Sequence, residues 1–104
     1  MTTINCNQIN DRYVIEITGH AGYKPGNDIV CSAVSMLSYT LMECLEQNNS
    51  CLMHSNISAD NGEVFVDVEP YTEYRDKIDA IIETVMTGYR MLAETYPENV
   101  EVNM

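Results

Sequence analysis

Basic residues are scarce. The 104-residue chain carries five lysines and arginines against sixteen aspartates and glutamates, a net charge of −11. That balance repels phosphate backbones and anionic membrane surfaces, so nucleic acid and membrane are set aside as partners and a basic polypeptide becomes a suitable one. The same charge equally serves an ordinary soluble surface. No run approaches the ~20 apolar residues of a membrane span. The opening MTTINCNQIN has neither the basic start nor the apolar centre of a signal peptide, and a cytoplasmic location is expected. No CxxC spacing occurs among Cys6, Cys31, Cys44 and Cys51, so the four are read as reduced thiols rather than a disulfide framework. No linker, low-complexity tract or repeat divides the chain. Residues 1–104 are read as a single domain, long enough to bury roughly two-thirds of its unfolded surface.

Seven elements are legible. Thr3 to Ile9 and Tyr13 to Thr18 form a hairpin around Asn10, Asp11 and Arg12, with Tyr13, Ile15 and Ile17 alternating against Val14, Glu16 and Thr18. Asp28 to about Gln47 carries Val30, Val34, Leu37, Leu41 and Leu45 at helical spacing. Cys51 to Ala59 and Glu63 to Glu69 make a second hairpin across Asp60-Asn61-Gly62, with Val64, Val66 and Val68 on one face. A second helix from about Thr72 to Tyr96 shows an apolar stripe from Ile78 to Tyr96, and Asn99 to Val102 offers a short last strand. The order ββαββαβ predicts an α+β fold, a mostly antiparallel sheet with two main helices against it.

Chemistry concentrates in GHAGYKPGNDIVCSAVS, residues 19 to 35. With Asp28 as N-cap, Cys31 falls at N3 and its backbone N–H meets the cap carboxylate. A thiol there feels the positive helix end, which favours the thiolate, and a histidine fixed at a strand exit is a suitable general base. His20 and Cys31 therefore form a candidate nucleophile and base pair. Backbone N–H groups of the helix start are candidate oxyanion donors. Ser35 lies one turn beyond Cys31 on the same face. Gly22, Tyr23 and Gly26 sit in a loop, Ala21 to Asn27, that is expected to be mobile and to gate the site.

Other readings compete. A lone helical cysteine is more often inert packing, as Cys6, Cys44 and Cys51 are read to be, and Asp28 can be a cap and nothing more. Cys51 and His54 could join Cys31 and His20 around zinc, but residues three apart on a strand face opposite ways. A redox sensor would need a resolving thiol, and Cys44 lies roughly 20 Å along the helix from Cys31. A non-catalytic binding module would keep the same fold as a platform.

The segment GHAGYKPGNDIVCSAVS resembles the signature of the ribosomal-processing cysteine protease family, Prp: a Gly-His-Ala strand exit, a glycine-containing loop, then Asp-Ile-Val-Cys followed by small residues and a serine. The likeness extends in outline over nearly the whole domain. Ser32 stands where the family often has alanine, and the stretch from His20 to Cys31 is slightly shorter than in many members. The resemblance implies a catalytic dyad of His20 and Cys31, with Asp28 and Ser35 matching the family's aspartate and serine. It implies a homodimeric endopeptidase, needing no cofactor, that removes a short N-terminal extension from a large-subunit ribosomal protein precursor. For a phage-type homologue the precursor would be a different one.

Overall fold

Alternation of apolar and polar residues builds the sheet. In the computed structural model, which describes residues 1–26 and 28–104, the chain runs β1 (Thr2–Ile9), β2 (Arg12–Thr18), α1 (Ile29–Gln47), β3 (Leu52–Asp60), β4 (Glu63–Pro70), α2 (Arg75–Thr95) and β5 (Val100–Asn103). The sheet order is β3-β4-β2-β1-β5. All neighbours are antiparallel except β1 and β5, which run parallel. Register aligns Ile4 with Ile17 and Ile17 with Val64, then Cys6 with Ile15 and Ile15 with Val66. These rows face one buried core, where they meet Val30, Val34, Leu41 and Leu45 of α1 and Ile78, Ile82, Val85, Met86 and Tyr89 of α2. Both helices cover one face of the sheet, giving the two layers the ββαββαβ order implied.

Local differences from the sequence reading have simple causes. The second hairpin closes on two residues, Asn61 and Gly62, whose positive φ angles of 49° and 78° suit a tight turn, so Asp60 remains in β3 opposite Glu63. The chain from Thr72 to Tyr74 is a 3₁₀ turn, and α2 proper begins at Arg75. A second 3₁₀ turn at Asn49–Cys51 delays β3 to Leu52. Ser38, polar and outside the expected stripe, is buried between the helices because its hydroxyl meets the Tyr89 Oη at 2.8 Å and donates to the Val34 carbonyl. Burial pushes the Tyr89 phenol up to about 12, with the Ser38 contact opposing. α1 itself is 19 residues long with mean hydropathy 1.3, long and apolar enough by composition to cross a membrane, contrary to the expectation from the sequence. Its serines dilute the run without abolishing it, and its buried stripe of Val30, Val34, Ser38, Leu41 and Leu45 is core.

Candidate active site

Three strand ends and a helix start meet at one end of the sheet. Thr3 pairs with Thr18, so the start of β1 lies beside the exit of β2. Ile17 pairs with Val64, so the Asn61–Gly62 turn lies beside that same exit. His20 leaves β2 there, and a Cβ added to Gly62 would stand 3.8 Å from the His20 Cε1. Gly19 makes the approach possible. Its φ is +86°, and a Cβ on it would lie 2.3 Å from the Met1 carbonyl oxygen, so any L side chain would force β1 and the β2 exit apart.

From His20 the chain is pinned before it reaches α1. Ala21 is fully buried and its carbonyl accepts from Asn99 Nδ2 at 2.9 Å. The Tyr23 ring packs edge-on against Tyr96, with centroids 5.4 Å apart. Asp28 then does two jobs with its two oxygens: Oδ1 accepts from the Cys31 N–H at 2.8 Å, and Oδ2 from the Tyr23 N–H at 3.1 Å. The cap predicted from sequence is present, and it also ties the loop to the helix. The Cys31 N–H, first, holds the Asp28 carboxyl below the usual carboxylate range, burial opposes this, and the N–H groups of Tyr23, Lys24 and Val30 add to the lowering. The expectation of a loop free from Ala21 onward thus meets tethers at Ala21 and Tyr23. Asn27, its last residue, lies outside the described residues.

Between these elements opens a cavity of about 340 Å³. His20, Cys31 and Ser35 all line it, from a strand exit and two turns of α1. Apolar walls come from Ile17, Val34 and Val64, and the acidic side chains of Asp60 and Glu63 stand at its margin. Among the described residues no hydrogen bond joins His20 to Cys31. Ser32, Ser38 and Thr40 each donate back to the carbonyl four residues earlier in or beside α1, whereas among the described residues Ser35 makes no such bond and lines the cavity. Gly22, Tyr23, Gly26 and Asp28 do not line the cavity, so the structure brings together three of the seven residues singled out from sequence. The amide of Cys31 is engaged by Asp28, and that of Ser32 donates to the Asp28 carbonyl at 3.0 Å. The expectation that helix-start amides serve as oxyanion donors is therefore corrected for these two: capping and the first helical bond have already used them.

The other cysteines are placed differently. All four are free thiols. Cys6 and Cys51 are buried, and burial above all pushes the Cys6 thiol up. His54 stands on the open face of the sheet, its Nε2 3.5 Å from Asp67 Oδ2. Asp67 in turn receives two hydrogen bonds from the Arg12 guanidinium, at 2.7 and 2.6 Å. Cys51 and His54 thus part to different sides and neither lines the cavity. Sequence reasoning did not single out Gly19, Asn99, Thr2, Asp60 or Glu63. The glycine before His20 was the one available signal among them.

The arrangement is one in which a thiol, an imidazole and a serine line one open, partly apolar cavity. A family model described as cysteine protease Prp matches residues 1–101. The chain belongs to the Prp cysteine protease family. It is a cysteine protease, and the resemblance seen in residues 19 to 35 holds over almost its whole length. No curated protein sequence matches it significantly. Among solved structures it is similar to the essential ribosomal processing protease Prp from S. aureus in complex with a covalently linked product peptide, at 21% identity and TM-score 0.80, covering 99% of this chain and 98% of that one. The S. aureus Prp in complex with a substrate peptide gives 20% identity and TM-score 0.75, with coverage of 99% and 98%. SMU.848 from Streptococcus mutans gives 29% identity and TM-score 0.70, covering 99% and 92%. These likenesses show that the Prp fold is kept entire.

Proposed function

We propose that the protein is an endopeptidase that trims the N-terminal extension of a basic large-subunit ribosomal protein precursor, with Cys31 as nucleophile and His20 as general base. The observation that carries the reading is the convergence of His20, Cys31 and Ser35 on one cavity. Membership of the Prp family supports peptide hydrolysis, and the S. aureus relative, described as a ribosomal processing protease, supports the class of substrate. In the reaction His20 takes the Cys31 thiol proton, and the thiolate attacks the scissile carbonyl. The tetrahedral intermediate collapses to a thioester as His20 returns the proton to the leaving amine. Water, activated by the same imidazole, then releases the N-terminal fragment. Because among the described residues no hydrogen bond links His20 to Cys31, peptide binding is the step that draws the pair into reach, and the loop carrying Gly22, Tyr23 and Gly26 is the segment that adjusts.

Asp28 acts by holding the helix start and the loop together, and Ser35 offers its hydroxyl to the peptide. A basic precursor suits the net charge of −11 and the acids Asp60 and Glu63 at the cavity margin. We place the reaction in the cytoplasm, where ribosomal precursors are made, and assign a homodimer, which the exposed Met36 and Tyr39 of α1 support. A phage precursor with a similar extension would serve the same chemistry. The test is incubation of the wild type, Cys31→Ala and His20→Ala with an extended ribosomal precursor, read by mass spectrometry. Trimming by the wild type alone is expected. Trimming by Cys31→Ala refutes the dyad, and binding without trimming by the wild type favours a non-catalytic platform.

A further inference from the structure

Thr2 is the first residue of β1, and its side chain points to the core face with Ile4 and Cys6. It is only 2% exposed, yet among the described residues its hydroxyl takes part in no hydrogen bond. Its backbone is fixed, since the Thr2 N–H donates to the Asn99 carbonyl at 2.9 Å and Thr2 pairs with Val100 of β5. No fully enclosed side-chain nitrogen or oxygen among the described residues lacks a partner. The small exposed part of Thr2 therefore includes its hydroxyl, and Thr2 is one of the residues that line the cavity shared with His20 and Cys31. The other buried hydroxyl of that cavity, on Ser38, is satisfied by Tyr89 and Val34. Thr2 is thus a rigidly held donor and acceptor without a partner, nine-tenths buried at the wall of the cavity that His20 and Cys31 also line.

We infer that Thr2 is a substrate-positioning residue, its hydroxyl hydrogen-bonding the main chain of the peptide inside the cavity and holding the scissile bond beside Cys31. A peptide entering this space loses water from an N–H and a C=O at each residue, and a hydroxyl can meet either. Ile17, Val34 and Val64 offer only apolar contact, so they suit a side chain and leave the main chain to the polar groups. Gly19 couples this residue to the base, because it packs directly on the Met1–Thr2 backbone and precedes His20. The start of β1 and the imidazole are thereby set by one contact.

The inference rests on the protease reading, and its test separates the two. Thr2→Val removes the hydroxyl and keeps the branched shape, whereas Thr2→Ser keeps the hydroxyl. With an extended ribosomal precursor, Thr2→Val should raise KM about 3- to 10-fold with kcat little changed, and Thr2→Ser should stay near wild type. The melting temperature of Thr2→Val should not fall, because no internal hydrogen bond is lost. An unchanged KM, a loss confined to kcat, or a fall in melting temperature that accounts for the loss would each overturn the assignment. If the wild type cuts no precursor, the protease reading fails by itself. Fluorescence anisotropy of a labelled peptide spanning the extension junction then decides the role of Thr2: in a Cys31→Ala background, Thr2→Val should weaken binding by the same factor, and equal binding would refute it.

Discussion

Replacing Gly19 by alanine probes how the site is held together. Two effects add. A φ of +86° is strained for an L residue by about 1–3 kcal/mol, and the new Cβ would lie 2.3 Å from the Met1 carbonyl oxygen, backbone against backbone, where no side-chain rotation gives relief. The strain alone corresponds to a fall in melting temperature of about 5–20 °C for a domain of this size. Since a domain of this kind has roughly 5–15 kcal/mol of stability, the variant should still fold. Relief of the overlap moves either β1 or the β2 exit, and both carry site residues, Thr2 on one and His20 on the other. A displacement of about 1 Å at a catalytic group can cost ~100-fold in rate, so kcat/KM on an extended precursor should fall by about that factor. Gly26→Ala is the control: its φ is also +86°, but among the described residues nothing lies within 4 Å of the added Cβ. It should show the same strain with a much smaller activity loss, limited to what a stiffer loop costs in peptide binding. Thermal denaturation and steady-state cleavage read both variants. A Gly19→Ala enzyme with wild-type melting and wild-type cleavage would refute the argument that this contact sets the site.

Three further outcomes follow from other contacts. Burial raises the Tyr89 phenol to about 12 from an ordinary value near 10, so its contribution to stability is complete below ~pH 10 and is lost as the pH rises through about 12; Tyr89→Phe should cost about 0.5–1.5 kcal/mol at neutral pH and flatten the alkaline limb of the denaturation curve, though not wholly, since burial and the Asp79 hydrogen bond also raise Tyr13. Asp28→Ala should slow cleavage about 10-fold without abolishing it, because it frees the helix start and the Tyr23 amide but leaves the thiol in place. As the carboxyl is held low in the fold, its stabilising effect is present above ~pH 4 and is lost as the pH falls below that; a pH–stability curve of the variant should therefore converge with the wild type in acid. Raising salt from about 0.05 to about 0.5 M should raise KM for a basic precursor, and the double change Asp60→Asn with Glu63→Gln should weaken that salt dependence, measured by initial rates.

Much of the fold was legible because its signals are local. Alternation in Tyr13, Ile15 and Ile17 and the helical stripe of Val30, Val34, Leu37, Leu41 and Leu45 each report burial on one face; all are buried except Leu37, which is partly buried against the core. The meeting of His20 and Cys31 could also be anticipated, since a strand exit and a helix start joined by a short loop are neighbours wherever the sheet lies. The remainder of the site depends on strand order. Thr2 and the turn acids Asp60 and Glu63 reach the cavity only because β1 and β4 flank β2, with Thr3 opposite Thr18 and Val64 opposite Ile17. Nothing local in the sequence encodes that order. Ser38 was missed for a related reason: a serine reads as polar until a buried tyrosine from another helix is brought to it.

The central claim is that Cys31 attacks the peptide, and the covalent intermediate tests it most directly. The wild type, mixed with excess extended precursor and quenched in acid within a turnover, should show by intact mass spectrometry a fraction of enzyme heavier by the acylating N-terminal extension. Peptide mapping should place that mass on Cys31, with Cys6, Cys44 and Cys51 unmodified, and Cys31→Ala should show none. An acyl group on another cysteine, or efficient cleavage by Cys31→Ala, would contradict the account.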